Sequence, residues 1–288
     1  MRGLIPETVV TWCQEEGYGE ILSVKTLGGG CINNGSRLKT ASGSTFFLKT
    51  NSNTPSDMFS CEAEGLQILS VPGGPRVPKV FLYGSNYLML EDLAPTTRSE
   101  DYWSIFGRQL ARLHNKTNPQ FGFEHDNYIG STPQSNTWTS DGYTFFIERR
   151  LLFQTELAER RGLLGSKERG QVEDICKRLA EIIPIQPASL IHGDLWSGNA
   201  MTDNAGKPAI IDPAAHYGWA EADLAMTTLF GTFPDIFYRA YSEVRELEGA
   251  YRERFQIYNL YHILNHLNLF GTAYLGQVRS ILASTQRL

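Results

Sequence analysis

Two acids and an amide, Asp194, Asn199 and Asp212, stand at intervals that suit phosphoryl transfer. Asp194 and Asn199 lie in Leu190-Ile191-His192-Gly193-Asp194-Leu195-Trp196-Ser197-Gly198-Asn199, a stretch that leaves an apolar run. In catalytic loops of the form H-R-D-L-x-x-x-N, the acid takes the proton of the attacking hydroxyl and the amide holds a magnesium ion. His192, Asp194, Leu195 and Asn199 occupy those places, with Gly193 at the arginine position. A turn and a short strand from Lys207 would deliver Asp212, after Ile210-Ile211, to the same metal. Acids and amides near glycine also form ordinary turns. A turn, however, requires no His two places before the acid, no fixed interval to the amide and no second acid closing an apolar strand.

Transferred phosphate needs a cation, and Lys49 closes the apolar strand Thr45-Phe46-Phe47-Leu48 as a phosphate-pairing lysine does. Such a lysine needs a carboxylate on the next helix, expected over residues 57–70. At about 100° per residue, Phe59, Glu62, Leu66 and Leu69 share one face and Glu64 points away, so Glu62 is the expected partner. Ahead of these strands, Gly28-Gly29-Gly30-Cys31-Ile32-Asn33 lets backbone N–H groups approach a triphosphate closely. It is neither a G-x-G-x-x-G nor a Walker loop, and a plain hairpin turn is the competing reading. The same N–H groups could favour a Cys31 thiolate as a redox switch; a small buried side chain is the alternative.

The elements around these residues fall into two groups. A short helix over 5–16 precedes strands over 21–27, 36–39, 45–49, 80–83 and 87–90, and Glu91-Asp92-Leu93 then sits where a hinge would offer its backbone to an adenine edge. From Ser99 the pattern becomes helical, with Tyr102, Ile105, Phe106, Leu110 and Leu113 on one face and a packing or capping role for His114. Residues 121–139 read as a long irregular insertion carrying Tyr128 and Trp138, taken as a substrate-side wall. Helices follow over 145–161 and 166–183. Asp223 opens another helix, either tying to catalytic-loop backbone or simply capping. His262 and His266 lie one turn apart without an H-E-x-x-H glutamate, which favours packing over zinc. The expected fold is α+β and two-lobed, protein-kinase-like, with an antiparallel-sheet lobe over 1–93 and a mainly helical lobe over 94–288.

Composition narrows the partners. At 288 residues the chain is long enough for two lobes, and a net charge of -5 argues against a nucleic-acid backbone binder. No apolar run approaches the roughly 20 residues of a membrane span, and the amino terminus lacks a signal pattern, so a cytoplasmic protein is expected. Four scattered cysteines suggest neither a zinc site nor a disulfide framework. Monomer and homodimer both stay open. Only eight residues separate Asp212 from Glu221-Ala222-Asp223, with no A-P-E motif nearby. A protein kinase needs a longer segment there to lay out a peptide, so a small-molecule acceptor is expected.

With those residues in view, the chain resembles the fructosamine kinase, or ketosamine 3-kinase, family, within the kinase-like group that includes aminoglycoside phosphotransferases. The resemblance runs through Gly28-Gly29-Gly30-Cys31-Ile32, Phe59 with Glu62, Asp126-Asn127-Tyr128-Ile129-Gly130-Ser131-Thr132-Pro133-Gln134, the His192–Asn199 loop, and Asp212-Pro213-Ala214 with Glu221-Ala222-Asp223-Leu224-Ala225-Met226. Asn127-Tyr128-Ile129-Gly130 and Trp196 are its most specific parts. It implies transfer of the ATP γ-phosphate to the 3-hydroxyl of a sugar joined to an amine, free or on a protein lysine, which releases the adduct and repairs glycation. Asp194 would orient or deprotonate the hydroxyl, Asn199 and Asp212 would hold Mg2+, Lys49 would neutralise phosphate charge, and Trp196, Asn127 and Tyr128 would lie on the substrate side. One departure stands out: Ala220, after Trp219, replaces an arginine usual in the family, which leaves substrate preference open. The rival readings are a kinase of another small alcohol, aminoglycoside- or choline-like, and a non-catalytic nucleotide-binding pseudokinase.

Overall fold

The computed structural model describes residues 5–27 and 34–285. Gly28, Gly29, Gly30 and Cys31, with the nucleotide and redox roles expected of them, lie outside the described residues. Strands β1 (Ile21–Leu27), β2 (Asn34–Thr40), β3 (Thr45–Thr50), β4 (Val80–Gly84) and β5 (Tyr87–Glu91) form an antiparallel sheet in the order β1-β2-β3-β5-β4. Helices α1 (Glu7–Glu15) and α2 (Met58–Leu69) pack on it. Because strand side chains alternate between faces, Phe46 and Leu48 of β3 meet Val9 and Cys13 of α1, together with Tyr87 and Met89. The other face joins Phe47, Leu88 and Leu90 to Phe59, Ala63 and Leu66 of α2. Lys49 has the parity of Phe47, so the pleat alone turns it toward α2.

The helical lobe begins with α3 (Tyr102–His114), which packs along a helix far downstream. Three short strands follow: β6 (Thr117–Asn118), and β7 (Asn127–Ile129) with β8 (Thr132–Gln134), which pair as a hairpin. Next come α4 (Gly142–Phe146), a π-helical turn over Ile147–Leu152, α5 (Phe153–Arg160) and α6 (Ser166–Ile182). Strand β9 (Ala188–Ile191) pairs with β6 on one edge and with β12 (His216–Gly218) on the other, while β10 (Ala200–Thr202) and β11 (Pro208–Ile210) make a two-stranded ribbon. The chain then runs through α7 (Ala220–Met226), α8 (Asp235–Ser242), α9 (Tyr251–Phe270), a 3-10 turn over Gly271–Tyr274 and α10 (Leu275–Thr285). One large core holds this lobe, with Phe106 and Leu110 of α3, Phe237 and Tyr241 of α8, Leu224 of α7, and Leu260 and Leu264 of α9 all fully buried. Gly107 permits the α3–α8 approach, since a Cβ there would strike the Phe237 carbonyl. Among the described residues, no helix is long and apolar enough to cross a membrane.

Two features differ from the sequence reading. The expected irregular insertion contains the β7–β8 hairpin, and its polar side chains face inward: Asn127, Gln134 and Asn136 are buried. Those residue types read as loop because they usually face water; here they satisfy one another. The helix expected over 145–161 carries a π-helical turn in its middle, which places Arg150 in the interior with about 1% exposed.

Candidate active site

Loops at the ends of buried strands bring the expected residues together. All four residues of β9 are buried, and the loop leaving it carries His192 to Asn199. His192 accepts the Asp194 N–H at Nδ1 (3.2 Å), so Nε2 must carry the proton that it donates to the Ile211 carbonyl (2.9 Å). Burial pulls the imidazole pKa below its ordinary value, in keeping with that neutral tautomer. One ring therefore ties Asp194 to the residue before Asp212. Asp223 of α7 accepts the N–H groups of His192 (2.7 Å) and Gly193 (2.8 Å) and contacts His114 Nε2 at 3.2 Å. Gly193 adopts φ 81°, and a Cβ there would strike the Ala214 carbonyl, so glycine is required at that turn.

Asp194 and Asn199 face each other. Asn199 donates Nδ2 to the Asp194 carbonyl (2.8 Å) and to Asp194 Oδ2 (3.2 Å). Its bonds run through nitrogen, which leaves the carbonyl oxygen Oδ1 for a cation. Burial, reinforced by the Asp212 charge, pushes the Asp194 carboxyl up to about 7, against a smaller opposing effect of the Asn199 hydrogen bond. Asp212 stands in the left-handed region at φ 58°, a conformation that a short polar side chain tolerates. Its side chain is 45% exposed and ion-paired to Lys49 Nζ. Lys49, nearly buried, also reaches Glu62 Oε1 at 2.5 Å. Burial alone would lower the lysine pKa; the Asp212 and Glu62 charges outweigh it and hold the ammonium above its ordinary range. Burial raises the Glu62 carboxyl, with Lys49 opposing it. Glu62, chosen over Glu64 by helical phase, is the α2 carboxylate on Lys49.

The hinge expectation rests on backbone, and the side chains there are otherwise engaged. Glu91 holds Arg76 Nη2 (2.5 Å), whose Nη1 reaches Asp203 (2.9 Å), and Asp92 receives Arg37 Nη2 (2.9 Å). Leu93 is buried, and the Glu91 N–H is spent on the Lys79 carbonyl (2.8 Å).

On the expected substrate side the three residues part company. Trp196 is half-buried, with its indole folded over Gly198, whose added Cβ would collide with the ring. Asn127 is buried with both ends of its amide engaged: Nδ2 donates to the Ala215 carbonyl (2.9 Å), and Oδ1 accepts from Gln134 Nε2 (2.7 Å) and Asn136 Nδ2 (2.9 Å). Its carboxamide braces the segment after Asp212, which is a positioning geometry and corrects the expectation of a substrate contact. Tyr128 donates its hydroxyl to Asp57 Oδ1 (2.7 Å) at the start of α2, joining the β7–β8 hairpin to that helix.

Sequence reasoning missed Arg254. Its Nε and Nη2 grip Glu221 Oε2 (2.9 Å) and Oε1 (2.6 Å), and the Tyr258 hydroxyl adds a bond at 3.1 Å. The acid beside Ala220 thus draws its cation from α9. The signal available was a buried acid in an apolar stretch, which demands a cation from elsewhere in the chain. His262 is buried, and the His266 imidazole meets the His262 carbonyl (2.8 Å).

Comparison with known proteins agrees with this architecture. The sequence matches the profile described as fructosamine kinase over residues 6–287. It is 42% identical to a protein named "Probable ketoamine kinase" of Synechocystis sp., over 92% of this chain and 90% of that one. It is 38% identical to the chloroplastic protein-ribulosamine 3-kinase of Arabidopsis thaliana, over 100% of this chain and 90% of that one. A Thermobifida fusca crystal structure, assigned as a candidate fructosamine-3-kinase, superposes with a TM-score of 0.89 at 32% identity, covering 99% of this chain and 100% of that one. An aminoglycoside phosphotransferase shares the fold alone, with a TM-score of 0.62 at 16% identity over 96% of this chain and 98% of that one. The chain belongs to the fructosamine kinase family.

Proposed function

We propose that this protein is a ketosamine 3-kinase, which moves the ATP γ-phosphate to the 3-hydroxyl of a ketose joined to an amine, free or on a protein lysine. The observation that carries the reading is the convergence of Lys49, Glu62 and Asp212 with Asp194 and Asn199. Asp194, with its carboxyl near 7, is poised to accept the hydroxyl proton close to neutral pH. Lys49, oriented by Glu62, meets phosphate charge, and the hinge backbone at Glu91, Asp92 and Leu93, through groups other than the Glu91 N–H, takes the adenine edge. Asn199 Oδ1 and the Asp212 carboxylate are hard oxygen donors that fit Mg2+. Among the described residues no three His, Cys, Asp or Glu side chains gather as a metal cage. A magnesium ion held by these two oxygens would take its remaining ligands from nucleotide phosphates and water and would neutralise phosphate charge. Trp196 offers an aromatic face to the sugar's C–H side. The cytoplasm is the proposed compartment, and monomer or homodimer the proposed assembly.

The test is turnover of ribulose and fructose adducts of simple amines with ATP and Mg2+, the phosphate position being read by NMR. Phosphate on C3 is the expected result. Phosphate found only on an aminoglycoside or choline would overturn the acceptor class.

A further inference from the structure

A row of aromatic rings leaves the catalytic loop and runs to the surface of the helical lobe. Trp196, two residues past Asp194, meets Phe230 edge-on at 5.9 Å between ring centroids. Phe230 is fixed beside the loop because its carbonyl accepts the Ser197 hydroxyl (2.5 Å). Its ring lies 4.7 Å from His266 of α9, and His266 contacts Phe270 (5.5 Å) and Tyr274 (5.1 Å), which touch each other at 5.9 Å. His266, Phe270 and Tyr274 follow at intervals of four residues, so one stripe of the α9 end and its 3-10 turn presents all three.

Core packing alone does not account for this row. Phe230 and Tyr274 pack on the lobe's core with one side only, Trp196 and His266 are likewise half-buried, and Phe270 is 48% exposed. Apolar rings left wet and continuous with an active-site loop make a surface that gains by being covered. Burial holds His266 below its ordinary pKa, so the imidazole stays uncharged and does not repel a cation.

We propose that Phe230, His266, Phe270 and Tyr274 extend the Trp196 face into a binding track for the substituent on the acceptor's nitrogen, and that the enzyme prefers ketosamines of apolar, above all aromatic, amines. The inference rests on the ketosamine reading. With the ketose on Trp196, the protonated secondary amine lies next along the chain, where ring faces attract an ammonium. Whatever that nitrogen carries then follows the rings outward, and a phenyl group stacks where a methyl group cannot reach.

The test compares fructose adducts of methylamine and of 2-phenylethylamine, which bear the same charge and differ in reach. The phenylethyl adduct should show kcat/KM higher by about tenfold, expressed mainly in KM. In Phe270→Ala and Tyr274→Ala, both at partly exposed positions, the preference should shrink to within about twofold, while the thermal midpoints stay close to wild type. Equal kcat/KM for the two adducts in the wild type overturns the track while leaving C3 phosphorylation intact. So does an equal fall for both adducts in the variants, which would mean the rings only hold the loop. Absence of turnover on every ketosamine overturns the proposed function, and the track with it.

Discussion

Asp223 receives the backbone N–H groups of both His192 and Gly193, thirty residues upstream, and so fixes the two peptide units that lead into Asp194. The carboxylate is buried, and bonds from His114 and the His192 backbone hold its pKa below the usual range against the opposing pull of burial. Replacing it removes an acceptor that no water can restore. Asp223→Asn should lower kcat by on the order of 10–100-fold and cost about 1–3 kcal/mol of stability, because the new amide presents a donor to one of the two N–H groups. Nucleotide affinity, measured by calorimetry, should change little. A variant with wild-type kcat would mean that these two hydrogen bonds do not set the geometry of the catalytic loop.

Asp194→Asn keeps the side-chain shape and removes the proton acceptor. We expect kcat to fall by on the order of 10²–10⁴ with ATP binding largely kept. A loss confined to KM for ATP would move Asp194 out of the proton-transfer role.

Much of this site was legible in the sequence because its parts obey local rules. Lys49 stood out by closing an apolar strand, helical phase separated Glu62 from Glu64, and the interval from His192 to Asn199 named the loop. What escaped depends on contacts between distant segments. Arg254 lies 33 positions from Glu221 and belongs to a helix whose aromatic pattern reads as packing throughout. The polar residues of 121–139 were misread for the opposite reason: Asn127, Gln134 and Asn136 carry loop-like identities, and only tertiary pairing shows them buried. Arg150 turns inward through a π-helical turn, and helical phase based on 3.6 residues cannot anticipate that.

The raised Asp194 carboxyl makes a signed prediction for stability without nucleotide or metal. In the unfolded chain an aspartate titrates near about 3.9, whereas in the folded protein this one titrates at about 7. Between those values the folded state binds more protons, so Asp194's contribution to stability is lost as pH rises and levels off above about 7. Asp194→Asn has no such titration. The difference in unfolding free energy between variant and wild type, from denaturant curves at pH 4.5 to 8, should therefore grow with pH. A flat difference would place the Asp194 carboxyl at its ordinary value.

Arg254 and Glu221 form a buried, bidentate pair that anchors α7 to α9. Removing the cation leaves Glu221 buried with, among the described residues, only the Tyr258 hydroxyl, so Arg254→Met should cost about 3–5 kcal/mol. Arg254→Lys loses the two-pronged geometry and should fall between wild type and Met. The double variant Arg254→Met with Glu221→Gln should recover part of the loss, because no unpaired charge remains. A double variant no more stable than Arg254→Met would show that packing, and not the ion pair, sets the cost.

Gly198 sits beneath the Trp196 indole, and any Cβ there would occupy the space of the ring. Its role is therefore to let the aromatic face lie flat on the loop between Asp194 and Asn199. Gly198→Ala should push the indole off that position while leaving Lys49, Glu62 and Asp212, which lie on other segments, in place. The expected result is a shift in tryptophan emission, a KM for ketosamine raised by about tenfold or more, and an unchanged Kd for ATP. If instead the emission shifts and the ketosamine KM does not, the sugar rests on some other surface, and Trp196 serves only to pack the loop against Phe230.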